Sequence, residues 1–194
     1  MIRSVVLQPT VTAQWQNLLQ EAQKACSHPL GPDLESYLVF LLTRFTSEPE
    51  LASGLLAMEY LTSLELCKTE RATSLQTVGD QCLLLAGLFP GRARQRRVRI
   101  SYYVHLGQNA YSQLSALCHQ PLALLYNGLS SEFVALMDTL QAMHELEDKA
   151  MFLDPLQAEE LWQDTRSPHA LQTLRRNAPL APILPLLPPS LIKH

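Results

Sequence analysis

The stretch from Val78 to Tyr111, VGDQCLLLAGLFPGRARQRRVRISYYVHLGQNAY, decides the fold of this chain. Its first part contains an almost wholly apolar run, Cys82–Phe89, that stops at Pro90. Five arginines then follow within eight residues, before a polar and aromatic segment begins at Ser101. The strongest core signal of the sequence and its strongest charge signal therefore lie side by side.

The apolar run belongs to a predicted helix over about residues 70–89. Apolar residues cover all sides of this helix, which is typical of the central helix of a bundle. Residues 50–89 contain no proline, so they form either one very long helix or two. We favour two, because the apolar pattern lapses near Lys68 and Thr69 can cap a new helix. Gly79 and Gly87 lie nearly on one stripe, where a neighbouring helix can approach closely.

The rest of the chain predicts further helices rather than strands. It has 194 residues, of which 47% are hydrophobic and only 7 are glycine. Helix starts are visible at Asp154-Pro155 and at Ser167-Pro168, where a capping side chain precedes a proline. We expect an all-α fold, a single-domain helical bundle of about eight helices that spans residues 1–176.

The C-terminal tail, residues 177–194, has a different pattern. Prolines recur at positions 179, 182, 185 and 188, and leucine and isoleucine fill the positions between them. A period of three matches the polyproline II helix. A segment with this many apolar side chains is not typical of a solvated linker. We predict a proline-rich, extended tail that is ordered and docks on its own domain or on a second subunit.

Composition excludes several classes of protein. The formal net charge is −3 and the pI is about 6.1, so nothing global favours nucleic acid or an anionic membrane. The longest apolar run is far shorter than the ~20 residues that a membrane-spanning helix needs. The four cysteines form no C-x-x-C pair, which favours reduced thiols and a cytoplasmic location. No metal-binding, phosphate-binding or dinucleotide-binding motif is present, and we expect no metal or cofactor.

The arginine segment is the first candidate site. Guanidinium groups bind carboxylates and phosphates through two parallel hydrogen bonds, so the segment is a candidate anion-binding or partner-binding site. The alternative is a solvated loop whose arginines pair with acidic residues or cap the preceding helix. No nucleic-acid motif accompanies it. The candidate residues are Arg92, Arg94, Arg96, Arg97 and Arg99.

Asp80 is the second candidate, because it lies on the helix predicted to be central. A buried carboxylate needs partners or a raised pKa. One interpretation is a polar contact that fixes the register of the helices. The other is a ligand pocket, formed by Asp80 with Tyr102, Tyr103 and Tyr111. The nearest candidate partners in the sequence are Arg96, Arg97, Tyr102 and Tyr111.

Several of these residues also form a pattern. Gly79-Asp80, Gly87-Leu88-Phe89-Pro90, an arginine pair, Ser101-Tyr102-Tyr103, Gly107 and Ala110-Tyr111 resemble the signature of a bacterial protein family. The resemblance covers about 35 of the 194 residues. It implies a bacterial cytoplasmic protein and assigns no catalytic role. Leu88 and Ser101 stand where that family has Phe and often Asp.

Two functional hypotheses follow from these observations. The first is a non-enzymatic interaction or regulatory protein, a homodimer or a binder of another protein, that uses the tail or the arginine segment. The second is a binding protein for a small anionic ligand, or a small enzyme, with its pocket around Asp80. The second requires a cavity of at least ~300 Å³ that reaches Asp80.

Overall fold

A computed structural model of the chain describes residues 10–26, 28–48, 60, 67–148 and 152–177. This part of the chain contains helices and no strand, which confirms the predicted all-α class. The helices, in chain order, are α1 (Val11–Cys26), α2 (Pro32–Ser47), α3 (Lys68–Gly87), α4 (Pro90–Gln95), α5 (Ile100–Leu117), α6 (Leu122–Ser131), α7 (Phe133–Asp148), α8 (Pro155–Thr165) and α9 (Pro168–Asn177).

Helix α3 lies at the centre of the bundle. Every residue of α3 from Val78 to Gly87 is buried, and the helix packs along α5 and against α7. Cys67, directly before α3, has extended backbone angles, so one continuous helix over residues 50–89 is excluded. The helix ends two residues earlier than predicted. Its end is set by Phe89, because the residue before a proline disfavours the helical conformation.

The two glycines of α3 allow close helix packing, as the sequence predicts, but they face two different helices rather than one. A Cβ atom at Gly79 would lie 2.6 Å from the ring of Tyr111 on α5. One at Gly87 would lie 2.7 Å from the side chain of Leu140 on α7. The absence of a side chain at both positions lets α3 contact two helices directly, and this close packing offsets the low helix propensity of glycine.

The arginine segment, which the sequence suggests is a loop, contains the short helix α4. Pro90 occupies the first turn of α4, where its missing N–H costs nothing. Ala93 is 1% exposed and anchors α4 to the core. The loop prediction is therefore corrected for the first half of the segment, and only residues 96–99 connect α4 to α5.

The remaining helices surround α3 and α5. Helix α1 packs on α2 and α7, α2 contacts α6, and α8 pairs with α9 and contacts α5. The predicted starts of α8 and α9 are confirmed. The Asp154 side chain accepts a hydrogen bond from the Gln157 N–H at 2.9 Å, and the Ser167 hydroxyl accepts one from the Ala170 N–H at 3.0 Å.

The predicted docking of the C-terminal tail cannot be compared with the structure, because residues 178–194 lie outside the described part of the chain. Across the residues that are described, no helix combines the length and the apolar character needed to cross a membrane.

Candidate functional site

Two of the five arginines hold α8 beside the junction between α3 and α5. A guanidinium nitrogen of Arg94 lies 3.2 Å from the Asp154 carboxylate. Arg99 lies 3.3 Å from the Asp164 carboxylate and 3.7 Å from that of Glu160. Both arginines are exposed, so these ion pairs contribute little to stability. Their effect is to orient α8 against the arginine segment.

Arg97 has an unusual backbone conformation. Its φ angle is 57°, in the left-handed region that favours glycine. The Arg97 N–H donates to the Arg94 carbonyl at 3.1 Å, and the Val98 N–H donates to the Ala93 carbonyl at 3.0 Å. This is the Schellman pattern that ends α4, with arginine at the position where glycine is usual. A left-handed non-glycine residue costs roughly 1 kcal/mol, and such residues often mark functional sites.

A cleft of about 620 Å³ lies between this junction and α8. Arg94, Arg97 and Arg99 line it together with Asp154 and Glu160. Apolar side chains complete the surface, and one of them, Leu156, is 66% exposed. We call this feature the arginine cleft.

Arg97 is the available cation of the arginine cleft. Arg94 and Arg99 are engaged by carboxylates, whereas the Arg97 guanidinium has no ion-pair partner among the residues that the structure describes. Asp164, which pairs with Arg99, lies outside the lining of the cleft. The pKa of Asp164 is lowered by the hydrogen bond that the Ser101 hydroxyl donates to it at 2.7 Å, and by Arg99.

The other two arginines have local partners. The Arg92 guanidinium lies over the ring of Phe89, 4.7 Å from its centroid. Arg96 interacts with Tyr103: burial raises the pKa of this tyrosine, and the charge and hydrogen bond of Arg96 act against the rise. The five candidate arginines thus divide into three that line the arginine cleft and two that interact with aromatic residues.

Asp80 lies at the centre of a buried polar network. Its side chain is 1% exposed. One carboxylate oxygen accepts hydrogen bonds from the hydroxyls of Tyr37 at 2.6 Å and Tyr111 at 2.8 Å. The other lies 3.3 Å from a guanidinium nitrogen of Arg44. Helices α2, α3 and α5 therefore meet at one carboxylate.

Side chains fill the space around this carboxylate. Tyr111 is fully buried and fits against Gly79, and its ring lies edge-on to that of Tyr37 with the centroids 6.3 Å apart. Burial, and then the negative charge of Asp80, raise the pKa values of both tyrosines, so their hydroxyls stay protonated as donors. The packing favours the register-fixing interpretation of Asp80 over a ligand pocket.

Of the predicted partners of Asp80, the structure brings only Tyr111 to it. Tyr103 is buried two helical turns earlier on α5, roughly 12 Å along the axis from Tyr111. Tyr102 is 38% exposed and contacts Tyr103. Arg97 lines the arginine cleft, and Arg96 interacts with Tyr103. The sequence interpretation missed Tyr37 and Arg44, although their spacing of seven places them on one face of α2.

A second buried carboxylate, Asp138 on α7, was also missed. It is 4% exposed, accepts a hydrogen bond from the Ser167 hydroxyl at 2.6 Å and another from the His169 backbone N–H at 3.2 Å. Ser167 directly precedes α9 and His169 lies in its first turn, so Asp138 caps that helix from outside. The His169 ring lies 3.2 Å from the Glu145 carboxylate. This cluster attaches α9 to α7.

The pH dependence of stability should carry the signature of Asp80. Burial raises its pKa to about 6, and Tyr37, Tyr111 and Arg44 limit the rise. In the folded state Asp80 thus keeps its proton to a higher pH than in the unfolded state, so its contribution to stability falls as the pH rises from about 4 to 6. The stability difference between the wild type and Asp80→Asn, measured by urea unfolding, should shrink over that range. A constant difference would contradict the raised pKa.

Metal and thiol chemistry find little support in the described residues. No group of three or more His, Cys, Asp or Glu side chains in these segments is placed to hold a metal ion. Burial, with smaller contributions from Asp138 and Glu145, raises the pKa of the Cys26 thiol to about 12. Such a thiol is a poor nucleophile at neutral pH.

Comparison of the chain with protein-family models, curated proteins and solved structures gave no match. The resemblance to a bacterial family stays a sequence-based prediction, and the evidence for function is the geometry of the sites.

Proposed function

We propose that this chain is a non-enzymatic interaction protein whose arginine cleft binds an acidic segment of a partner protein. The observation that carries the proposal is Arg97. Arg97 keeps a strained backbone conformation beside the arginine cleft. Of the three arginines that line the cleft, it is the one without an ion-pair partner among the described residues. A guanidinium in this position is available for a carboxylate.

The surface of the arginine cleft favours a peptide over a compact anion. The exposed Leu156 and the half-buried Val98 lie beside Arg97, so a segment that combines carboxylates with apolar side chains matches both parts of the surface. Asp154 and Glu160 disfavour a highly charged anion by repulsion. A ligand pocket at Asp80 has less support, because Tyr37, Tyr111 and Arg44 already engage its carboxylate oxygens.

Binding of a fluorescein-labelled peptide of alternating Glu and Leu, followed by fluorescence anisotropy, tests the proposal. We expect Arg97→Gly to weaken binding about tenfold or more, as for the loss of a charge-assisted hydrogen bond. Arg166→Gly is the matched control. Arg166 is also left-handed, with a φ angle of 58°, but it lies at the end of α8 outside the arginine cleft, so its loss should leave binding unchanged. Equal binding by wild type and Arg97→Gly would refute the proposal.

Competition distinguishes the sources of the anion. An unlabelled Glu-Leu peptide should displace the labelled one, whereas inorganic phosphate at the same concentration should not. Raising the NaCl concentration should weaken binding, because exposed charges are screened. Displacement by phosphate alone would assign the arginine cleft to a phosphate group instead.

The same substitution should affect stability in the opposite direction. Arg97→Gly removes the left-handed strain, and we expect it to raise the free energy of unfolding by about 0.5–1 kcal/mol in urea titrations. Arg166→Gly should raise the free energy of unfolding by less, because it also removes a stabilising contact. The guanidinium of Arg166 lies over the Trp162 ring, 5.3 Å from its centroid. A loss of stability in Arg97→Gly would show that the arginine side chain is needed for folding.

The proposal extends to the setting and the assembly of the protein. We propose a bacterial cytoplasmic protein that acts as a homodimer or with another protein. Support for a reducing compartment comes from the cysteines: Cys26, Cys67, Cys82 and Cys118 are free thiols. Sedimentation equilibrium measures the homodimer directly. If the protein is a monomer at all concentrations, the homodimer is excluded and a complex with another protein is the remaining alternative.

A further inference from the structure

An apolar groove lies between α2 and α6, and none of its lining residues belongs to the arginine cleft. Its volume is about 620 Å³. Three of the large apolar side chains that line it are unusually exposed: Phe40 at 57%, Leu122 at 50% and Leu124 at 62%. Apolar side chains gathered in this way on the surface of a helical domain mark a contact site. We call this feature the α2–α6 groove.

The chemistry of the α2–α6 groove matches the C-terminal tail of the same chain. The ring of Phe40 is exposed in the groove, with the largely buried ring of Tyr37 one helical turn away, and grooves lined by aromatic rings bind proline-rich segments in the polyproline II conformation. The tail has a proline at every third position from 179 to 188, with leucine and isoleucine between them. The charges also agree: Asp33 lines the groove, and Lys193 is the one Lys, Arg, Asp or Glu in residues 178–194.

The end of α9 lies on the path to the groove. Arg175, in the last turn of α9, lines a cleft together with His28 and Ser131. Gly31 lies three residues after His28, and Gly128 lies three residues before Ser131. Both glycines line the α2–α6 groove itself. The 17 residues that follow Asn177 span about 53 Å in the polyproline II conformation, at ~3.1 Å per residue. Because a small domain is roughly 30 Å across, this length is enough for the tail to cross the first cleft and lie along the groove.

We propose that residues 178–194 dock in the α2–α6 groove of their own chain. The leucines and prolines of the tail cover Phe40, Leu122 and Leu124, and Lys193 approaches Asp33. The polyproline II conformation has little conformational freedom to lose, so a short segment is enough for binding. This inference is independent of the arginine cleft, which shares no lining residue with the α2–α6 groove.

Photo-cross-linking in the full chain tests this docking. Phe40 is replaced with p-benzoylphenylalanine, an aromatic residue of related shape at an exposed position, and Leu124 is replaced in a second protein in case the first does not fold. We expect irradiation to link either position to a peptide from residues 178–194, found by mass spectrometry in the monomer band. The same replacement at Leu156 in the arginine cleft should give no link to the tail.

Substitutions in the tail complete the test. Leu186→Asp combined with Leu187→Asp should reduce the cross-link yield about tenfold, because apolar contacts are lost. Ser190→Asp adds a charge without removing an apolar group and should have a much smaller effect. The proposal is overturned if the link joins two copies in a dimer band, if it reaches another segment, or if no link forms from Phe40 or Leu124 in folded protein.

Discussion

Replacing Asp80 with asparagine is expected to lower the free energy of unfolding by about 3 kcal/mol at neutral pH, the range for breaking a buried ion pair. The Asp80 carboxylate accepts from Tyr37 and Tyr111 and pairs with Arg44, so it joins α2 and α5 to the central helix. An asparagine amide keeps one acceptor oxygen, but its NH₂ group replaces the other and faces groups that are themselves hydrogen-bond donors. Urea unfolding followed by circular dichroism gives the value.

Single substitutions separate the contributions to this network. Tyr111→Phe and Tyr37→Phe each remove one hydrogen bond to a charged group, and each should cost about 1.5–3 kcal/mol. In the Asp80→Asn background the cost of either should be much smaller, because the charged acceptor is gone. Glu21→Gln is the control: Glu21 is exposed on α1, and the change should stay within about 0.5 kcal/mol. A loss below about 1 kcal/mol in Asp80→Asn would show that the network does not hold the helices together.

The sequence predicts the local features of this network and not its long-range partners. Periodicity identifies α3 as the central helix, because apolar residues on all sides of a helix require neighbours on all sides. It also brings Asp80 into the core. Tyr37 and Arg44 lie 43 and 36 residues away along the chain, and nothing in local spacing selects them over other polar residues. Tertiary packing decides those contacts.

The arginine segment shows the same limit. Five arginines in eight residues indicate a charged surface, but the sequence does not show which of them are paired. The partners of Arg94 and Arg99 lie on α8 or directly before it, 60 or more residues later in the chain. The left-handed conformation of Arg97 has no sequence signal either, because glycine is the residue that usually indicates it.

Gly107→Ala should be the most damaging of the small substitutions in α5, with an expected loss of about 2–3 kcal/mol from overpacking. A Cβ atom at Gly107 would overlap the ring of Phe133 on α7 and lie 2.9 Å from the Cβ atom of Cys82 on α3. Both of those residues are fully buried, so neither can move without disturbing the core. The gain in helix propensity from Gly to Ala, ~1 kcal/mol, offsets only part of the strain.

Gly91→Ala is the matched control, because a Cβ atom at Gly91 on α4 would meet nothing within 4 Å. Gly91→Ala should be neutral or slightly stabilising. The steric origin of the stability loss in Gly107→Ala can be tested with Phe133→Leu. This change removes the ring that the added methyl group at position 107 would overlap. The double variant should be more stable than the sum of the two single losses predicts, by about 1 kcal/mol. Strict additivity would mean that α3, α5 and α7 do not meet as closely at Gly107 as the structure shows.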